Sequence, residues 1–339
     1  MNGFPSTPAS LGGLAARLHA RWGRALAGPD LLKAVEDGSG IPPPAAGFPN
    51  PAAAQKQAAV DTIAELADLA SRLDRDSAAG AYLEWHLLRF WLEDLGVLLR
   101  HCLEPLPPAE LQALLIASPD LPPLPPELWQ ARTGGAAAAL LPPVACRPAV
   151  VAIFTELDRD RDGFGAAARL DRFFLEELAA RAAACPEALR PAAVELAGLQ
   201  LDIFNLGVAL RNAAWFHLPP DRVRGLLAAS GCSRMTPAAL DALAELADPR
   251  RLPREIPSLY RRTLDGAASP EMAEPRLLEL LLARARRRFY ALHRPGWSVA
   301  AYPVLRQVER LNRTRLAEGM RLGLAPEALR NLLVGAPYP

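Results

Sequence analysis

LDIFNLGVALRNAAWFHLPPDRVRGLLAAS, Leu201 to Ser230, reads as a helix, a tight break at Leu218-Pro219-Pro220 and a second helix. Leu199, Ile203, Leu206 and Leu210 follow one another at helical spacing, so they share one face, and that face must be buried. Pro220 suits a first helical position, where an N–H would have no partner to lose. Asp221 beside it complements the positive end of the helix dipole. Gly231 then offers a stop.

This unit recurs. Upstream the chain reads DLGVLLRHCLEPLPPAELQALLIAS, Asp94 to Ser118, in which LGV-x-LR appears at Leu95 to Arg100 as it does at Leu206 to Arg211. The breaks match as well, Leu106-Pro107-Pro108 against Leu218-Pro219-Pro220. A fainter third copy, VERLNRTRLAEGMRLGLAPEALRNLLVG, runs from Val308 to Gly335, with Leu324-Ala325-Pro326-Glu327 at the break and Leu332-Leu333 in place of Leu226-Leu227. Copies about 110 residues apart are whole subdomains, since solenoid repeats run at roughly 20–50 residues. The expectation is an all-α molecule of three similar helical lobes, over 1–125, 148–248 and 253–339, with the N-terminal helix contributing to the third.

Composition narrows the class. A chain of 339 residues that is 51% apolar buries a large core and is not globally disordered. With 38 basic residues against 37 acidic ones, it lacks the overall positive charge of a nucleic-acid binder. Cys102, Cys146, Cys185 and Cys232 are far apart and form no CxxC pair, so neither zinc nor a disulfide framework is signalled. The five histidines, His19, His86, His101, His217 and His293, show no metal-ligand spacing. No basic segment followed by an apolar core opens the chain, and no run of about 18 apolar residues appears, so neither a signal peptide nor a membrane span is expected.

In chain order, helices are predicted over Leu11–Leu26, near Asp30–Glu36 and over Ala52–Arg75, where Val60, Ile63, Leu66 and Leu69 are in step. The proline-rich stretch Ile41–Pro51 reads as a loop, and Pro119–Pro143 separates the first lobe from the second. Alternating β-branched runs are nearly absent.

The copies share an acidic residue, an Asn three positions on, an Arg within two turns and a break before a short helix. They carry it as Asp202, Asn205 and Arg211, then as Glu309, Asn312 and Arg315. With Leu170-Asp171-Arg172-Phe173-Phe174 and Ala301-Tyr302-Pro303-Val304-Leu305, this pattern resembles the C subunit of A/V-type ATPases, subunit d of the eukaryotic V-type enzyme. The first copy departs from it, with Trp91 and Asp94 in place of the acid and Asn. The third needs a one-residue shift to bring Asn312 under Asn205 once the proline breaks are aligned.

The resemblance implies a non-enzymatic coupling part, without cofactor or metal, at the cytoplasmic inner face of the cell membrane. Its lobes would form a pseudo-threefold funnel between a proteolipid ring and the central stalk, in a complex moving protons or sodium. Asp202, Asn205, Arg211, Glu309, Asn312 and Arg315 are then candidates for lobe packing or for lining a partner's pocket, since buried polar groups need partners. The run Arg284, Arg286, Arg287, Arg288 is a solvated helix face or a contact for an acidic stalk or lipid head groups.

A competing motif is Asp158-Arg159-Asp160-Arg161-Asp162-Gly163, which opens like a calcium loop with ligands at positions 1, 3 and 5 and Gly at 6. Position 12, where a bidentate Glu belongs, is Arg169, a cation that repels calcium. A metal-binding protein or enzyme using Asp158, Asp160 and Asp162 is the alternative reading.

Overall fold

The computed structural model describes residues 11–22, 51–74, 77–291 and 293–335. The end of the opening helix, the helix expected near Asp30–Glu36 and the proline-rich loop before Pro51 lie outside them. Among the described residues there is no strand, so the fold is all-α as expected.

The helices are α1 (Leu11–Trp22), α2 (Pro51–Ala70), α3 (Ala78–Leu103), α4 (Pro108–Leu114), α5 (Gly134–Leu140), α6 (Arg147–Asp160), α7 (Gly163–Ala184), α8 (Arg190–Arg211), α9 (Pro220–Leu226), α10 (Pro237–Ala244), α11 (Ser258–Thr263), α12 (Pro270–Phe289), α13 (Pro295–Arg321) and α14 (Pro326–Leu332). The three copies are α3 with α4, α8 with α9, and α13 with α14. Each short helix is seven residues long, has proline at its first position and ends on a buried leucine in extended conformation: Leu115, Leu227 and Leu333. Each also buries one residue at its fourth position, Leu111, Val223 or Leu329.

The three long helices run parallel. Tyr82 OH donates to Ala300 O (3.4 Å) and Arg310 pairs with Glu93 (2.7 Å), so α3 and α13 advance together. Arg288 pairs with Glu195 near one end of α8, and Arg211 pairs with Glu274 (3.0 Å) near the other, so α12 runs against α8. Glu274 also meets Arg315 (3.1 Å), while the Ser298 hydroxyl donates to Phe289 O (2.7 Å) at the opposite end, so α13 runs against α12 and with α8.

The buried side chains form one contiguous cluster from Leu14 to Val334, so the three units share a core. α1 and α2 pack on α13, and the His19 ring lies 3.2 Å from the Ser298 hydroxyl. At its centre, α8 is buried on nearly every side. On the apolar face read from the sequence Leu199, Leu206 and Leu210 are buried and Ile203 partly so, and Ala193, Ala197 and Leu201 on other faces are buried as well. With the turn that follows, residues 190–216 are by length and composition apolar enough to cross a bilayer, a signal that polar Gln200, Asp202 and Asn205 break up when apolar runs are counted. The burial of this segment is met inside the protein, against α7, α12 and α13.

Close approach at α8 depends on Gly198. A Cβ there would lie 1.9 Å from Cys232 O, whereas one on Gly207 of the same helix meets nothing within 4 Å. Gly198→Ala is therefore expected to cost about 2 kcal/mol or more through forced backbone displacement. Gly207→Ala should be neutral or gain up to about 1 kcal/mol from helix propensity. Urea midpoints of the two variants check the difference, and equal midpoints would sink it.

Candidate functional site

Each unit returns from its short helix as an extended segment inside a helical core. Such a segment has no ladder to satisfy its backbone, so buried N–H and C=O groups need side-chain partners. In the second unit the Asn205 side chain, fully buried, donates from Nδ2 to Ala228 O (2.9 Å) and accepts at Oδ1 from Ala228 N–H (2.8 Å). In the third unit Asn312 does the same with Val334, at 3.0 and 2.9 Å. In the first, Asp94 accepts from Ile116 N–H (2.7 Å) and Ala117 N–H (3.1 Å), with Ala117 in the left-handed region at φ 48°. Asp94 is thus the counterpart of Asn205 and Asn312. The polar position that looked incomplete in the first copy is filled by an acid, whose ionised form can only accept, so it takes two N–H groups where the amides take one N–H and one C=O.

The one-residue mismatch between the second and third copies has a local cause. After Arg211 the helix widens into a π turn, Asn212–Phe216, which accommodates one extra residue per turn. Asn212 closes it, accepting from Leu218 N–H (2.7 Å) and donating to Leu218 O (3.2 Å), with His217 at φ 52°.

The second polar position of the pattern is put to three different uses. Asp202, with no exposed surface, accepts from Ser233 Oγ (2.5 Å), Tyr260 OH (2.5 Å) and Arg234 N–H (3.1 Å), tying α8 to the turn after Cys232 and to α11. Burial pushes its carboxyl above the ordinary range, and the three hydrogen bonds oppose that shift. Glu309 is buried between Arg306 and Arg313. Arg306 reaches on to Glu65 of α2 (2.9 Å), which also accepts from Tyr302 OH (2.6 Å). Trp91, the first unit's equivalent, packs as an apolar side chain. Arg211 and Arg315 occupy different helical registers yet converge on Glu274 of α12. Sequence reading missed Glu274, Glu65 and Arg306. Glu274 lies 63 positions from Arg211, and nothing local marks it.

The motif segments brace neighbouring elements. Asp171 pairs with Arg89 of α3 (2.6 Å), Arg172 donates to Gly225 O of α9 (2.7 Å), and Phe174 O accepts from Trp85 Nε1 (2.8 Å).

The calcium-loop reading does not survive the geometry. Asp158 accepts from Gly134 N–H (2.6 Å) and Gly135 N–H (2.7 Å), capping the start of α5. Asp162 caps α7 through Gly165 N–H (2.8 Å) and meets Arg222 (3.1 Å). Asp160 is held by Arg159 (2.9 Å), and Arg169 turns to Glu156 (3.1 Å). α6 continues through Asp160, so the loop a cation would need never forms. Among the described residues no group of three or more His, Cys, Asp or Glu side chains converges on a metal-sized space.

Asn205→Ala would strand the Ala228 N–H and C=O in the core, an expected loss of about 2–4 kcal/mol in chemical denaturation. Asp94 gives a pH signature. Burial pushes its carboxyl up from 3.8 to about 6, outweighing the two N–H bonds that favour its charged form. A group whose pKa is raised by folding contributes stability that is full below the unfolded value and is lost as pH rises through the folded one. That contribution amounts to roughly 3 kcal/mol. Asp94→Asn should therefore become progressively more stable than the unmodified chain between pH 4 and 7, and parallel stability curves would refute the assignment.

No curated protein compared with the chain matches it. The family model described as the ATP synthase (C/AC39) subunit matches residues 53–332. That match runs from the first turn of α2 to the last residue of α14 and takes in the three long helices that carry Asp94, Asn205 and Asn312. The chain therefore belongs to the ATP synthase (C/AC39) subunit family, whose members are subunits of rotary ATPases.

Proposed function

We propose that the protein is a non-catalytic adaptor of the central stalk in a rotary A/V-type ATPase, seated on the cytoplasmic face of the membrane. It would join the proteolipid ring to the stalk and pass rotation between them as protons or sodium ions cross. In this reading the three units stand as lobes, 1–125, 148–248 and 253–339, about a common axis to form a funnel.

The observation that carries the reading is mechanical. Three parallel long helices share one core and are cross-linked by ion pairs between distant elements: Arg310 with Glu93, Arg89 with Asp171, and Arg211 and Arg315 with Glu274. Transmitting torque needs a stiff body with two docking faces and no bond-making group. The buried polar side chains fit that task, because Asp94, Asp202, Asn205, Glu309 and Asn312 all satisfy partners within the chain. Asp202, Asn205, Glu309 and Asn312 then act as packing residues, while Arg211, 44% exposed, and Arg315 fix the junction of the second and third units.

Affinity purification from gently solubilised host membranes tests the proposal. A proteolipid, a stalk subunit and the catalytic ATPase subunits should accompany the tagged chain. A wholly soluble chain that brings none of them would end the adaptor reading.

A further inference from the structure

The chain's charges nearly cancel, yet one surface segment is strongly positive. Between residues 250 and 262 lie Arg250, Arg251, Arg254, Arg261 and Arg262, all exposed, against the single acid Glu255. Arg251 makes an open pair with Asp248 (3.6 Å) and Arg261 donates from Nε to Ile256 O (2.9 Å). Arg250, Arg254 and Arg262 enter none of the ion pairs among the described residues. The run at Arg284 to Arg288, which stood out in the sequence, is different: Arg284 and Arg288 both turn to Glu195, and Arg288 also covers the Trp297 ring.

The segment is held in place. Ile256 and Tyr260 are buried, Tyr260 OH is bonded to Asp202, and Pro253 and Pro257 fix the backbone on either side of Arg254 and Glu255. Unpaired guanidinium groups on an anchored scaffold lose little freedom on binding, and their forked donors match carboxylates in pairs. Surfaces that enter a bilayer combine basic side chains with exposed apolar ones. None of the exposed large hydrophobic side chains, which include Trp215, Phe216 and Met272, falls between 250 and 262.

We propose that the surface formed by residues 250–262 docks a carboxylate-rich protein surface of the same complex, with Arg250, Arg254 and Arg262 as its unpaired contacts. The choice of partner rests on the adaptor reading; the carboxylate chemistry does not.

Two measurements on the full chain separate them. Labelled poly-glutamate is titrated against the purified protein and against Arg250→Gln/Arg254→Gln/Arg262→Gln, with vesicles of phosphatidylglycerol as the competing anion. The variant should bind poly-glutamate about tenfold more weakly, since three exposed charges each supply a factor of roughly two or more. It should also show a shallower salt dependence, with an unchanged melting temperature because no intramolecular ion pair is removed. Equal poly-glutamate binding by the two proteins, or tighter binding to the vesicles than to poly-glutamate, overturns the proposal. In the second measurement the variant is purified from host membranes and should keep the proteolipid while losing a soluble subunit. Recovery of every subunit at the unmodified yield overturns the proposal and leaves the adaptor reading standing. If the unmodified chain recovers no ATPase subunit, the adaptor reading fails, and the poly-glutamate result alone decides the carboxylate chemistry.

Discussion

The structure depends on how an extended segment survives inside a helical core. After each seven-residue helix the chain must turn back across the long helix before it, and there most of its peptide groups are cut off from water and from any sheet. One polar side chain, placed 22 or 23 residues earlier on that long helix, satisfies them. An unpaired buried backbone group costs about 1–3 kcal/mol, so the position admits an amide or an acid and little else. This constraint explains why Asp94, Asn205 and Asn312 stand out among apolar neighbours. It also explains why the second unit, one residue longer between clamp and short helix, absorbs the surplus in a π turn and keeps the clamp in register.

Parallel alignment of α3, α8 and α13 follows from the same repetition and has an electrostatic consequence. Three helix dipoles point the same way, so their negative ends gather at one end of the molecule. Each of these helices carries a cation in its last turn: Arg100, Arg211 and Arg321. At the junction of the second and third units the compensation is joint, because Arg211 and Arg315 share Glu274 across three helices. An exposed ion pair contributes at most about 1 kcal/mol, so the bridge matters less for stability than for holding these ends in one relation.

The fold was legible in sequence where local chemistry repeats: the prolines that open the short helices, the leucines that end them and the helical spacing of Ile63, Leu66 and Leu69. The full burial of α8 was not, because its other faces are lined by small residues such as Ala193, Ala197 and Gly198, which periodicity does not register as apolar. Among the polar candidates, Asn205 and Asn312 were visible as a matched pair, whereas Asp94 was hidden by the change from amide to acid. The calcium-like run had the right spacing, but spacing does not report direction. Asp158 and Asp162 are drawn apart by two helix N-termini whose free N–H groups compete for their oxygens.

The contrast between the two polar positions separates what the fold requires from what it tolerates. At the clamp, all three units keep a side chain that hydrogen-bonds the return segment. Three residues earlier, on the same helices, they carry Trp91, Asp202 and Glu309, each answering to a different neighbour: apolar packing, a tyrosine on α11, and an arginine that leads to α2. The elements that reach this second position differ from unit to unit, so no single side chain could serve all three. Repetition therefore sets the backbone path and its clamp, while the contacts that fasten one unit to the next are particular to each junction. In the proposed adaptor, which would turn as one piece, those particular junctions would decide its stiffness.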